Sequence, residues 1–333
     1  MTQRYVGGVA RLEEILTRLQ SELGPLAGEP VPLSGGITNH NFRATLGGED
    51  YVVRVHGRDT ELLGIDRQAE QLACGLAAEM GIAPELVAAF DDCLVTRFIA
   101  CEPVIPREVA AHAGELARAL RGFHDAPLAL PTRFWVPDLL ADYAARVHER
   151  GVRLPDAYGR AAAVAAQIAA VLPLDDPRPC HNDLLTSNII RAYDHAGKGE
   201  GAGASDGRML IVDWEYAGMG HRCFDLGNLS VNNDFDEADD ERLLSAYYRE
   251  PPTDARRAAL ALMRILSDAR EAAWAVVQAE ISELDFDFDR YARTHFERLD
   301  AAAAEPLLRE WLAAARAAAP PTNTAEENDG PAT

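Results

Sequence analysis

Val9, Leu12, Ile15, Leu16, Leu19 and Leu23 recur at helical spacing, which predicts an amphipathic leading helix over 9–23 that Gly24-Pro25 ends. Asn41–Leu46 and Tyr51–His56 read as strands joined by Gly47-Gly48-Glu49-Asp50. In the second, Tyr51, Val53 and Val55 share one face, and Val52 and Arg54 the other. Asp66 to Met80 reads as a helix with Asp66 as N-cap and Gly81 as its stop. Ile82–Val87 and Cys93–Ile99 predict two more strands, so the first hundred residues make a small antiparallel sheet with one internal helix. After Pro106 the pattern turns helical. Val109, Ala113, Leu116, Leu120 and Phe123 form one apolar face, with His124 packed beside it, and 138–150 and 157–172 continue helically. The division expected is an N-terminal unit over 1–99, a larger helical unit over 100–318, and a disordered tail over 319–333.

Two short apolar runs, Ile189-Ile190 and Met209–Val212, interrupt the helical part as strands. Between them lies a Gly-rich, charged insert, 193–208, read as a mobile connection. Each strand carries amide or acidic groups at one end. Before the first stands His181-Asn182-Asp183-Leu184-Leu185-Thr186-Ser187-Asn188, of the form His-x-Asp-x-x-x-x-Asn; directly after the second stands Asp213. Either block alone is a turn or a strand-end cap. Together they hold the groups phosphoryl transfer requires: one carboxylate to take a hydroxyl proton, and an amide and a second carboxylate as hard oxygen ligands for a divalent metal.

Other positions gain meaning beside these. Ser34-Gly35-Gly36 is an ordinary hairpin turn or one whose exposed N–H groups cover phosphates. Arg54 is a cation in an apolar strand, costly unless paired or else at a sheet edge. Glu70, one turn into the following helix, is its candidate partner or part of a solvated face. Thr96 to Ile99, including Arg97, Phe98 and Ile99, would be the extended hinge that meets an adenine through backbone groups. Asp268, Glu271 and Trp274 are spaced by three, and Asp285 to Tyr291 mixes rings with carboxylates. Such a mixture suits an ammonium group, with Glu215 and Tyr216 contributing from below; core packing for Trp274 and Phe288 is the competing reading.

Charge and composition narrow the classes. The formal net charge of −21 disfavours nucleic acid as a partner and favours a small cation, although acidity also serves solubility. Lys198, within the Gly-rich insert, is the sole lysine, so arginine must do the work of cations elsewhere. Five cysteines without a Cys-x-x-Cys pair read as reduced thiols. No apolar run of membrane-spanning length and no leading signal pattern occurs, so a cytoplasmic protein without a membrane partner is expected. The oligomeric state is left open, a homodimer included.

His181 to Asn188, Asp213-Trp214-Glu215-Tyr216-Ala217-Gly218, Phe224-Asp225-Leu226 and Asn228 to Asn233 resemble the choline/ethanolamine kinase branch of the aminoglycoside phosphotransferase-like kinases, and the resemblance runs from about Leu33 to Arg298. It implies an α+β, protein-kinase-like fold of two lobes, a small antiparallel-sheet lobe and a mainly helical one, with ATP and Mg2+ at the cleft. It implies Asp183 as base, with Asn188 and Asp213 on the metal, and Arg54 held by Glu70 where other kinases carry a lysine. Ser34, Gly35, Gly36, Thr38, Asn39 and Asn41 match its phosphate-covering loop, and Trp274 the late-helix ring of its ammonium site. Asp225 would brace the catalytic loop, unless it is only a helix cap. An aminoglycoside or thiamine acceptor, or a non-catalytic nucleotide-binding protein, are the alternative readings.

Overall fold

The computed structural model describes residues 4–33, 39–57, 60–193, 207–282, 286–304 and 306–317. Ser34, Gly35, Gly36, Thr38, most of the Gly-rich insert with Lys198, Asp285 and the 319–333 tail therefore lie outside the described residues.

The chain opens with α1 (Arg4–Leu23), β1 (Leu26–Pro32), β2 (His40–Leu46), β3 (Glu49–Val55), α2 (Arg67–Glu79), β4 (Leu86–Ala89) and β5 (Cys93–Arg97). The strands form one antiparallel sheet in the order β1-β2-β3-β5-β4. Alternation along β3 sorts its side chains as the pattern predicts. Tyr51, Val53 and Val55 bury against Leu12, Ile15, Leu16 and Leu19 of α1, while Arg54 takes the other face, towards α2. Asp66 caps α2 by accepting the Ala69 N–H at 2.9 Å, and Gly81 follows its end at φ +71°. Boundaries differ from expectation: α1 starts at Arg4, β5 ends at Arg97, and the strand expected from Ile82 begins late. Residues 82–85 stay out of the sheet, and β4 starts only at Leu86. Pro84 has no N–H for a ladder, and the Ile82 carbonyl instead accepts the Ile211 N–H at 2.8 Å from the second half of the chain.

The remainder runs β6 (Cys101–Pro103), α3 (Pro106–Ala111), α4 (Ala113–His124), α5 (Val136–Glu149), α6 (Asp156–Ala169), β7 (Arg178–Cys180), β8 (Ile189–Ala192), β9 (Arg208–Ile211), β10 (Gly218–Gly220), α7 (Arg222–Asn232), α8 (Glu237–Tyr248), α9 (Asp254–Ile281), α10 (Phe288–Ala302) and α11 (Leu307–Ala317). A sheet-bearing N-terminal part thus faces a helical C-terminal part, as in two-lobed kinases. Two small ribbons, β6-β8-β9 and β7-β10, carry the polar blocks. The β8–β9 register pairs Ile189 with Ile211, and the Val212 N–H then donates to the Asn188 carbonyl at 2.9 Å. Asp213 is thereby set beside the end of the His-x-Asp-x-x-x-x-Asn block.

Helix α9 is buried on nearly all sides between Ala258 and Gln278, so it is the axis of the helical part rather than a surface helix. It meets α7 at close quarters. A Cβ on Gly227 would come within 2.7 Å of the Met263 backbone, so only glycine permits this crossing. Under the ribbons, Trp214 packs against Phe123 and His181, each with ring centroids 4.6 Å away. Among the described residues, no helix is long and apolar enough to cross a membrane.

Candidate active site

Helix α7 holds the loop after β7 in place. Asp225, in the helix's first turn and fully buried, accepts the His181 N–H at 2.8 Å and the Asn182 N–H at 2.7 Å. His124, from α4, adds its Nε2 to the same carboxylate at 3.0 Å and meets the Tyr247 hydroxyl through Nδ1. Burial alone would raise the Asp225 pKa, but His124 and the backbone donors hold it below the ordinary range. Asn228 accepts the Leu184 N–H, and Asn233 Nδ2 donates to the Leu184 carbonyl at 3.0 Å. Asn182 adopts φ 68° and Asp213 φ 66°, left-handed values unusual outside glycine. Such strain is tolerated because the surroundings fix each residue: Asn182 Nδ2 donates to the Tyr216 carbonyl at 3.0 Å.

Replacing Asp225 by Asn should turn an NH2 group towards N–H donors. The expected result is roughly 2–4 kcal/mol of lost stability and a fall in kcat, with KM for nucleotide little changed. Because its folded pKa is depressed, Asp225 stabilises the fold above the ordinary carboxylate pKa, and that stability is lost as pH falls through and below it. Thermal melts against pH should therefore be flatter on the acid side for Asp225→Asn than for the parent.

Asp183 lies at the tip of this braced loop. Its Oδ2 accepts Asn188 Nδ2 at 2.9 Å and its Oδ1 accepts Arg270 Nη1 at 2.9 Å. Its own N–H donates to His181 Nδ1 at 3.2 Å, while His181 Nε2 lies 3.0 Å from the Val212 carbonyl. A carbonyl can only accept, so Nε2 carries the proton and the ring is neutral, in keeping with the downward push that burial gives its pKa. Burial raises the Asp183 pKa to about 7, opposed by Arg270 and assisted by Glu271, Asp213 and Glu215. A carboxylate so poised can receive a proton near neutral pH.

Arg54 reaches over from β3. It is 7% exposed, donates through Nη1 to Glu70 Oε1 at 2.6 Å, and pairs through Nη2 with Asp213. Sheet and helical part are therefore joined by one guanidinium between two carboxylates. Burial costs the Arg54 charge, but Asp213, Glu70 and Glu215 more than offset it and hold the pKa above its ordinary value. Arg67, not singled out in the sequence, closes the network by donating to Glu70 Oε2 at 2.7 Å and lying 3.4 Å from Glu215 Oε2. Asn39 Nδ2 donates to the same Glu215 oxygen at 2.8 Å.

These groups line or adjoin one cavity of about 1070 Å³ between the two parts. Arg54, Glu70, Arg97, Phe98, Ile99, Asn41, Asp183, Asn188, Asp213, Glu215, Tyr216, Glu271 and Trp274 all contribute to its wall. Asn39 is buried in the network behind it. Asp268 corrects the sequence expectation: it is 2% exposed and held by His295 Nδ1 at 2.8 Å and Arg298 Nη2 at 2.6 Å, so it ties α9 to α10 away from the cavity. The three-residue spacing placed it near Trp274 in projection, but an advance of 100° per residue over six positions carries it to another face. Trp274 belongs to the helical core and also lines the cavity. It is 6% exposed within the helical core, packs edgewise on Phe288 and Tyr291, donates Nε1 to the Tyr216 hydroxyl at 2.9 Å, and still reaches the cavity wall.

Arg270 also carries no motif in the sequence. Its signal was present: Asp268, Arg270 and Glu271 are charges crowded among Leu266, Ala269, Ala272 and Ala273, too many directions for one solvated face. Metal-binding capacity follows from donor chemistry. Asn188 commits Nδ2 to Asp183, which leaves Oδ1 as its other polar atom, with Ser187 Oγ at 3.4 Å; Asp213 gives Oδ1 to Arg54, which leaves Oδ2 as its second oxygen. An amide oxygen beside a carboxylate is a donor set that suits magnesium.

Residues 29–260 fit the model of the phosphotransferase enzyme family. The chain belongs to that family. Within it, the similarities lie with the choline/ethanolamine kinase branch. Mouse ethanolamine kinase 2 is 27% identical over 277 residues, covering 74% of this chain and 68% of its own. The crystal structure of a choline/ethanolamine kinase family protein from Mesorhizobium loti superposes with a TM-score of 0.73 at 28% identity, covering 93% of this chain and 99% of that one. A spectinomycin phosphotransferase, at 12% identity and TM-score 0.53 over 91% of this chain and 98% of its own, shares the fold.

Proposed function

We propose that this phosphotransferase is an ATP-dependent kinase that phosphorylates the hydroxyl of a small amino alcohol such as ethanolamine or choline. The observation that carries the reading is the meeting of Asp183, Asn188 and Asp213 with the Arg54–Glu70 pair in one cavity walled on its far side by Glu271 and Trp274. Asp183 orients the acceptor hydroxyl and takes its proton as the oxygen attacks the γ-phosphorus and the bond to the departing ADP breaks. Arg270 and Asn188 fix the Asp183 carboxylate, one on each oxygen. Arg54, oriented by Glu70, neutralises the inner phosphates. Asn188 and Asp213 would hold magnesium, which when bound neutralises charge on the phosphate oxygens. The hinge at Arg97, Phe98 and Ile99 receives the adenine, and Asn39 and Asn41 stand on the phosphate side.

The names of the relatives and the ring-plus-carboxylate wall support an amino alcohol over a polycationic aminoglycoside or thiamine. An ADP-release assay over ethanolamine, choline, an aminoglycoside and thiamine tests this. The amino alcohols should give the highest kcat/KM; a preference for either of the others removes the acceptor assignment.

A further inference from the structure

The wall beyond Asp183 already contains a cation. Arg270 is 2% exposed, its Cζ lies 4.2 Å above the Tyr216 ring, and its Nη1 donates both to Asp183 at 2.9 Å and to Glu271 Oε1 at 2.7 Å. A ring face and a carboxylate are what a substrate ammonium would use, and here the protein's own guanidinium occupies one and shares the other. The remaining rings are engaged with one another: Trp274 meets Phe288 and Tyr291 edge to face at 5.9 and 6.0 Å between centroids and donates to the Tyr216 hydroxyl, and the Tyr291 hydroxyl donates to Glu271 Oε2 at 3.0 Å. What stays available to an incoming cation is acceptor capacity on the Glu271 carboxylate rather than a cage of ring faces.

A quaternary ammonium has no N–H and depends on ring faces. A primary ammonium has three donors and brings its charge to hydrogen-bond distance of a carboxylate, whereas three methyl groups hold a quaternary nitrogen roughly an ångström farther out. In a wall that also holds a guanidinium, that closer approach is what offsets the like-charge repulsion. Resting on the amino-alcohol reading above, we infer that Arg270 is a specificity-determining residue that makes this enzyme select a primary amino alcohol over its trimethylated counterpart. The stacked guanidinium excludes the quaternary head group from Tyr216, and Glu271 receives the primary one.

The test is kcat/KM for ethanolamine, its N-methyl and N,N-dimethyl derivatives, and choline. In the parent enzyme the value should fall at each methylation, by tenfold or more over the series. Arg270→Met frees the Tyr216 face; although its kcat should drop through the lost contact with Asp183, the choline-to-ethanolamine ratio should rise at least tenfold, because the common loss cancels in the ratio. Arg270→Lys, which keeps charge without a planar stack, should give an intermediate ratio. A parent series that is flat or rises towards choline overturns the inference and leaves the kinase reading standing, as does an unchanged ratio in both variants. No turnover of any member of the series overturns the amino-alcohol reading itself, and the inference with it.

Discussion

Asp183→Asn should abolish turnover, with kcat down by about a thousandfold or more, while ATP and ADP bind within about twofold of their parental affinities. The magnitude follows from the assigned role, since loss of a general base costs roughly 10²–10⁴ in rate. Nucleotide binding is spared because Asp183 contacts Asn188 and Arg270, not Arg54 or Glu70, and asparagine keeps the side chain's size and an oxygen for Arg270. The substitution also turns an NH2 group towards one of the two donors that Asp183 accepts, Asn188 Nδ2 or Arg270 Nη1, so a fall in melting temperature should accompany the loss of turnover. Calorimetric nucleotide titration, coupled ADP release and a melt separate these effects. Near-normal turnover would remove the base assignment.

Arg54→Ala should be the second most damaging change, and for two reasons at once. It removes the cation proposed for the inner phosphates, and it leaves buried Glu70 and half-buried Asp213 without their shared partner. Breaking a buried pair from one side costs roughly 3–5 kcal/mol, so the melting temperature should fall clearly. The kcat/KM for ATP should fall by about a hundredfold or more, read mainly in KM. Arg54→Lys should recover part of both losses but not all, because one ammonium cannot span Glu70 and Asp213 as a planar guanidinium does. A double-mutant cycle with Glu70→Gln should show strong coupling, since the two side chains touch at 2.6 Å. Additive effects, or a stability loss with unchanged nucleotide kinetics, would confine Arg54 to a structural role.

How far the sequence went depended on how local the physics was. Alternation in β3 sorted Arg54 from its apolar neighbours, and the cost of a charge in that position demanded a partner, which Glu70 supplies across two elements. Capping chemistry placed both ends of α2. The His-x-Asp-x-x-x-x-Asn block and Asp213 were readable as chemistry only in combination, since either alone is an ordinary turn or strand-end cap. What was not legible was pairing at long range. Asp225 could be a brace or a cap until the His181 and Asn182 amides were seen on it, 44 and 43 residues away. Asp268 lies elsewhere because each three-residue step drifts by about 60° around a helix, so positions 268 and 274 do not share a face. Arg67 and Arg270 carry no motif; their roles come from carboxylates that only the fold brings near.

Transfer of a phosphoryl group to a small alcohol, with Asp183 taking the proton, is open to a direct check by phosphorus NMR of the enzyme with ATP, magnesium and ethanolamine. An O-phosphorylated amino alcohol should form in equal amount with ADP, with no such signal above background for Asp183→Asn. ADP accompanied only by inorganic phosphate, or the same product formed at a similar rate by the Asp183→Asn enzyme, would contradict it.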